Sequence, residues 1–412
     1  MLIYPPTLAG PGQPPPTAGS NQLGLREFNE RVVLRAVRLH GSLPKADLAR
    51  LTHLSAQTVS VIINRLLDEG LVHKRDAVRG RVGQPSQPIA LNPGGAYGIG
   101  VQIGRRSLDL TVLDFTSQPL FRSSTVYTRP DVDTVFAEIS RQMGHIAAFL
   151  GPERMARVSG VGLAAPLTFA GWRQMQRMSS SDADAWGRTD IAARLRTLTP
   201  LPVVFAKDTA AACMGELVAG QGVQLKHYLY LFVDTLIGGG LVLNGQPHGG
   251  LHGNAGAVGS MPTGMAEPAA AGTPPQLLDV ASLVQLEAWY ADAGLDPAAC
   301  SDARALQAPW LPITRRWLTG AANAIGLTVA TSACLLDLEA VIIDGGMERA
   351  LLAALLAELA PALDRYDWQG VVRPPVRAGQ VGADARVIGA ALLPLYASYA
   401  PVHDLFLKVG RG

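Results

Sequence analysis

Two groups of side chains in this sequence have the types and spacing to do chemistry. Ser55, Gln57, Thr58, Ser60, Asn64 and Arg65 crowd one short stretch of otherwise apolar residues. They are short, polar or cationic, the set that hydrogen-bonds base edges and phosphates when a helix lies in a DNA major groove. Arg79, Arg81 and Gln84 follow in AVRGRVGQPSQ, a Gly-rich basic segment suited to phosphate contact. The second group is Lys207 and Asp208, at the end of the apolar run PVVFAKD, with Asn254 and Ser260 in a Gly-rich stretch further on. A lone carboxylate at a strand end can take a proton from a hydroxyl, or hold that hydroxyl without reacting. The adjacent lysine can neutralise it or attract an anion.

The first group requires a scaffold, and the surrounding residues supply one. In residues 29–40 (NERVVLRAVRLH), Val32, Val33, Ala36, Val37 and Leu39 recur at helical intervals and predict a buried face. Gly41 stops that helix. Pro44 suits the first turn of a second helix, with Leu48 and Leu51 inward, and Leu54 closes the turn after it. Ser55 is the expected N-cap of a third helix, in which Val59, Ile62, Ile63, Leu66 and Leu67 face inward and Gly70 is the stop. LVHKR and PIALN then read as the two strands of a wing around the basic tip. Residues 23–91 are thus expected to form a winged helix-turn-helix, preceded by a disordered Pro/Gly-rich tail at 1–22. Charge agrees: residues 21–91 hold 11 Lys or Arg against 6 Asp or Glu, a net of +5, whereas the chain is +2 and the remainder therefore −3. The expected partner is DNA, bound in a salt-dependent manner.

With 412 residues and 48% hydrophobic content, the chain is long enough for about three domains of roughly 150 residues. No apolar run reaches the about 18 residues of a membrane span, and the first residues lack a signal-peptide pattern, so a cytoplasmic protein with no membrane partner is expected. Cys213, Cys300 and Cys334 are odd in number and far apart, which excludes a disulfide framework or a CxxC metal pair and predicts small core residues. From residue 93 on the pattern becomes α/β. Strands are predicted at 97–104, 107–115, 158–166, 202–208, 227–235, 239–245 and 340–346, and helices at 131–151, 209–220, 317–336 and 348–366. The hairpin-then-crossover order at 97–115 and again at 227–245 suggests two lobes.

Seven segments in order carry a resemblance. They are the winged helix, GVQIGRRSLDLTVLD, KDTAAACMGE, DTLIGGGLVLNG, GNAGAVGSMP, VIIDGGM and VGADARVIGAALLPL. Together, over about residues 24–400, the chain resembles transcriptional regulators of the ROK family, which fuse a winged helix to a sugar-kinase body. The resemblance implies a fold class of α/β, with an N-terminal winged helix-turn-helix followed by a two-lobed actin-like or ribonuclease-H-like ROK domain. The first lobe would comprise 92–205 and 386–412 and the second 206–385.

Departures from the family pattern set the functional expectation. Gly104-Arg105-Arg106 stands where the family's kinases have a Gly-Gly-Thr phosphate turn, and bulky side chains do not suit that backbone cradle. Asp208 matches the kinases' general base and is the residual catalytic candidate, but Lys207 replaces the family's Asn. Ala257, Ser260 and Leu278 replace a Glu, a His and a second Glu that bind sugar. The cysteine-rich zinc loop is replaced by TGMAEPAAAGTPPQLLDVAS (263–282), which has no N/S ligands, so neither metal nor cofactor is expected. DTLIGGG (234–240) and Gly345-Gly346 read equally as tight packing turns or as nucleotide loops, and His248 and His252 as loop histidines. The expectation is a regulator of repressor type for carbohydrate or related catabolic genes, without enzymatic activity. It would bind a palindromic operator as a homodimer or dimer of dimers and sense a sugar-like or acidic effector through Lys207, Asp208, Asn254 and Ser260. Two alternatives stand beside it: a sugar kinase working through Asp208, and a regulator whose body only dimerises.

Overall fold

The computed structural model describes residues 22–76, 87–127, 131–167, 180–265 and 273–401. Helix α1 (Gln22–His40) ends at Gly41, whose φ of 72° suits a residue without a Cβ. After the two-residue strand β1 (Ser42–Leu43), Pro44 stands in extended conformation at the cap of α2 (Lys45–Thr52), one position outside the expected first turn. Ser55 caps α3 (Ala56–Asp68), its side chain accepting the Thr58 N–H at 3.0 Å. Strands β2 (Val72–Lys74) and β3 (Ile89–Leu91) pair antiparallel, and β1 pairs with the other edge of β3.

Val33, Leu34, Val37, Leu48, Val59, Ile62, Ile63 and Leu66 form the buried centre of this three-helix unit. Two expected core residues are corrected: Leu39 and Leu51 are 42% and 40% exposed. The buried stripe of α1 runs through Val33, Leu34 and Val37, so Leu39 falls off its edge, and the short α2 buries Leu48 alone.

The other described residues build two five-stranded sheets. One has the order β6-β5-β4-β7-β8, from β4 (Tyr97–Ile103), β5 (Ser107–Asp114), β6 (Pro119–Val126), β7 (Val158–Ala165) and β8 (Val203–Lys207). The other has the order β11-β10-β9-β12-β13, from β9 (Tyr228–Val233), β10 (Gly238–Leu243), β11 (Gln246–His248), β12 (Ala340–Gly345) and β13 (Val376–Ala378). Each contains the expected antiparallel hairpin, Tyr97 opposite Asp114 in the first and Gly238 opposite Phe232 in the second. β12 runs parallel to β9 and β13. The helices are α4 (Val132–Met155), α5 (Ser180–Arg188), α6 (Ile191–Arg196), α7 (Asp208–Ala219), α8 (Leu277–Ala281), α9 (Leu283–Asp292), α10 (Leu311–Leu336), α11 (Arg349–Leu363) and α12 (Ala385–Tyr399).

The chain separates into two compact units. The described residues of Ala164–Gly187 and Ala206–Gly389 form one; those up to Leu163, with Arg188–Phe205 and those from Ala390 on, form the other. The winged helix therefore shares a unit with the first sheet, and the boundary falls inside α12.

Helix α10 corrects the reading that no segment is apolar enough for a membrane. It has the length and hydropathy of a span, yet 56% of that window is buried, with Trp317, Leu318, Ala321, Ile325 and Val329 in the core against β9, β12 and α11. Cys334, expected in the core, is exposed near the end of α10, while Cys213 and Cys300 are buried. Burial pushes the Cys213 thiol up to about 12.

Close backbone approach fixes α12 within each unit. A Cβ on Gly98 would stand 2.1 Å from the Ala391 carbonyl oxygen and one on Gly162 only 1.8 Å from that of Ala390. In the other unit, a Cβ on Gly389 would stand 1.7 Å from the Ala211 oxygen of α7. Gly162→Ala should therefore cost about 3 kcal/mol of stability by overpacking. Gly144→Ala, on the exposed face of α4 with nothing within 4 Å, should instead gain up to about 1 kcal/mol from helix propensity. Denaturant unfolding of both variants beside the wild type checks the pair; equal stabilities would remove the packing argument.

Candidate functional site

The polar face of α3 exists because Val59, Ile62, Ile63 and Leu66 turn its apolar side inward. Gln57 and Asn64 are exposed on that face, and Thr58, Ser60 and Arg65 are half-buried. Ser55 and Thr58 are engaged in starting the helix, their hydroxyls 2.8 Å apart. Arg65 lies in ion pairs with Glu69 at 2.9 Å and Glu30 of α1 at 3.1 Å, which tie the third helix to the first. Lys45 of α2 donates to Asn64 Oδ1 at 3.3 Å. Arg79, Arg81 and Gln84 lie outside the described residues.

The winged helix is fastened to the first sheet's unit by groups that sequence reasoning missed. Arg38 of α1 donates to the Phe115 carbonyl at 2.8 Å and the Ser117 hydroxyl at 3.0 Å, with its guanidinium 5.2 Å from the Phe115 ring centre. Burial pulls its pKa down to about 10, against the opposing pull of Asp114. Arg31 donates to the Ala397 and Ala400 carbonyls at 3.1 and 3.2 Å, at the end of α12, and Tyr399 meets Phe115 edge-on at 4.8 Å. Asn92 donates to the Gly70 carbonyl at 2.7 Å just past α3. Arg31, Arg35 and Arg38 stand at i, i+4 and i+7, a basic stripe legible in the sequence; which surface it faces was not.

In the other unit, Lys207 ends β8 and Asp208 begins α7. Lys207 Nζ donates to Asn254 Oδ1 at 3.0 Å, so those two candidates are brought together. Burial lowers the Lys207 pKa, and the neighbouring Asp208 carboxylate opposes the shift. Asp208 is buried, and its Oδ1 accepts the Thr209 N–H at 2.8 Å. Ser260 is exposed in a 3-10 turn, its N–H bonded to the Ala257 carbonyl at 3.1 Å. Leu278 does neighbour the sugar-type segment: a Cβ on Gly259 would be 3.7 Å from that of Leu278. His248 and His252 are exposed. Among the described residues no group of three His, Cys, Asp or Glu side chains is placed to hold a metal ion.

The glycines of the two Gly-rich loops answer to packing. A Cβ on Gly238 would meet Thr209 Cγ2 at 2.8 Å, one on Gly239 the Tyr230 oxygen at 2.4 Å, and one on Gly240 Cys213 Cβ at 2.6 Å, so α7 and β9 press on β10 directly. A Cβ on Gly345 would lie 2.0 Å from the Val233 oxygen. Asp234, the first residue of DTLIGGG, forms an ion pair with Arg386 of α12, whose guanidinium lies 5.0 Å from the Phe232 ring centre. The buried Glu216 carboxylate accepts the N–H groups of Gln380, Val381 and Gln221 at 2.7, 2.8 and 2.8 Å. Burial raises its pKa, offset by those N–H donors. The Gly104 turn is closed in its own unit by the Gly104 N–H bonding the Ser107 carbonyl at 2.8 Å, with the Tyr127 hydroxyl on the same carbonyl at 2.9 Å.

Known proteins agree with this architecture. A model of the ROK family matches residues 98–396 and one of the MarR family residues 28–81. The xylose repressor of Bacillus spizizenii is 21% identical over 242 residues, 59% of this chain and 62% of its own. The crystal structure of a ROK family transcriptional regulator, a homologue of the E. coli MLC protein, superposes with a TM-score of 0.66 at 19% identity, covering 91% of this chain and 98% of that one. A ROK family glucokinase from Streptomyces griseus, solved with glucose and AMPPNP, superposes at 0.58 and 22% identity, covering 72% and 99%. Both superpositions speak for the fold. The chain belongs to the ROK family and, with a MarR-type winged helix ahead of its ROK body, is a DNA-binding transcriptional regulator of that family.

Proposed function

We propose that the protein is a carbohydrate-responsive repressor whose ROK body senses a small polar effector and has no kinase activity. The observation that carries this reading is the Asp234–Arg386 ion pair. It sets a paired carboxylate, in place of bare amides, at the head of the loop that a kinase of this family would offer to phosphate, so phosphate would have to displace a partly buried ion pair. In the other phosphate turn, Arg105 and Arg106 put bulky side chains where the kinases have Gly and Thr, which removes the tight backbone cradle. The relatives named as a xylose repressor and a transcriptional regulator favour regulation, and the glucokinase neighbour accounts for the kinase-like fold.

In this reading Gln57 and Asn64 read bases, and Arg79, Arg81 and Gln84 contact phosphates. A single winged helix covers too little DNA for operator affinity, so the active form is a homodimer on a palindromic site, acting in the cytoplasm. The effector binds at Lys207, Asp208, Asn254 and Ser260. Because Ala257, Ser260 and Leu278 lack the family's polar ligands, a neutral hexose would leave buried groups unpaired, at about 1 to 3 kcal/mol each. Lys207 favours an acidic sugar. Neither zinc nor a cofactor takes part.

In fluorescence anisotropy, Gln57→Ala should lose about 1 to 3 kcal/mol on the preferred operator while nonspecific binding stays unchanged. Arg79→Ala or Arg81→Ala should weaken every sequence and lower the salt slope by about one. Indifference of the preferred operator to Gln57→Ala would remove that residue from base readout.

Calorimetry should give no appreciable heat with glucose, and a signal with sugar acids that disappears in Lys207→Ala and in Asp208→Ala. Tight glucose binding insensitive to both changes would show the site to be elsewhere. In a coupled assay with ATP and a panel of hexoses, turnover should not exceed that of Asp208→Asn; steady phosphorylation lost in that variant would establish a kinase instead.

A further inference from the structure

Val61 is 65% exposed in the middle of α3. Its neighbours Val59, Ile62 and Ile63 are buried, so the fold does not use Val61 for the core. Nor does helix propensity favour it, since a β-branched residue loses rotamer freedom in a helix and gains nothing there in water. It sits four residues after Gln57 and three before Asn64, so the three share one face. Both flanking residues are exposed, and both are types that bond adenine edges. Arg65, the cation of this helix, is drawn into ion pairs with Glu30 and Glu69. The face presented outward is therefore amide, isopropyl, amide. From Gln57 to Asn64 the helix rises about 10 Å, the length of about three base steps.

We propose that Val61 is a specificity-determining residue that reads the C5-methyl group of a thymine lying between the bases read by Gln57 and Asn64. The proposal rests on the reading of α3 as the recognition helix. The thymine methyl is the one apolar group that a base pair offers in the major groove, and an apolar side chain is what recognises it. Seating Val61 against it removes both from water, while any other base would leave the isopropyl group against a polar edge.

The test uses the full chain and an operator enriched from random duplexes by in vitro selection. Each thymine of the enriched site is replaced singly by deoxyuridine, which deletes only the methyl group, and affinities are measured for the wild type and for Val61→Ala. At one thymine per half-site, between the positions sensitive to Gln57→Ala and Asn64→Ala, the wild type should lose about fourfold in affinity, as for one buried methyl group. Val61→Ala should bind the thymine and uracil duplexes equally, and Val61→Thr, which keeps one methyl, should restore part of the difference. Wild-type binding indifferent to every such replacement, or a sensitivity undiminished in Val61→Ala, overturns the proposal while leaving DNA binding intact. Failure to enrich any sequence would overturn the recognition-helix reading itself.

Discussion

The packing of α12 against bare backbone is the constraint on which both units depend. Gly98 and Gly162 admit its Ala391 and Ala390 carbonyls in one unit, and in the other its own Gly389 admits the Ala211 carbonyl of α7. None of these positions has room for a single added carbon, and interiors at crystal density transmit displacement rather than absorb it. α7 begins with Asp208, so one helix carries both the effector-site candidate and the Ala211 contact with α12. Two buried carboxylates secure the approach to α12 as well. Glu216 accepts from Gln380 and Val381, and Asp344 accepts from Gly382 at 2.7 Å and from Arg349 at 2.8 Å.

The polar anchors of the ROK body have been exchanged rather than merely lost. Where phosphate would need bare amides, Asp234 meets Arg386; where a sugar would need carboxylates, Ala257 and Leu278 leave apolar surface. What remains near β8 is one ammonium held by one amide beside one carboxylate. In the proposed effector site, the Lys207 ammonium is the group that would meet a ligand's negative charge.

Much of the fold was legible in the sequence, because buried strands such as Tyr228–Val233 and Ala340–Gly345 are apolar runs set between polar residues, with Asp234 ending the first and Asp344-Gly345 closing the second. The strands that escaped, the two-residue β1 and then β6, β11 and β13, are all sheet edges. Their short or half-polar sequences, SL, PLFRSSTV, QPH and VRA, carry little hydrophobic signal. The α3 cap at Ser55 was legible because capping is local chemistry. The Asp234–Arg386 pair, the Arg38 bonds to Phe115 and Ser117, and the outward setting of Val61 were not. They arise from residues far apart in sequence, or from which flank of a helix tertiary packing covers. Leu39 shows the opposite failure, since its apolar type suggested burial while its place beside the Val33, Leu34 and Val37 stripe leaves it exposed.

Arg38 gives the reading head a mechanical character. A domain on a flexible linker averages over orientations, and whatever moves its anchor is lost in that slack. Here a buried guanidinium, a second arginine on the last carbonyls of α12 and an asparagine on the end of α3 leave no slack between head and lobe. α3, the recognition helix of the proposed reading, then moves as one body with the lobe to which Arg38 and Arg31 bind its domain. Major-groove contacts fail within an ångström or so of misplacement.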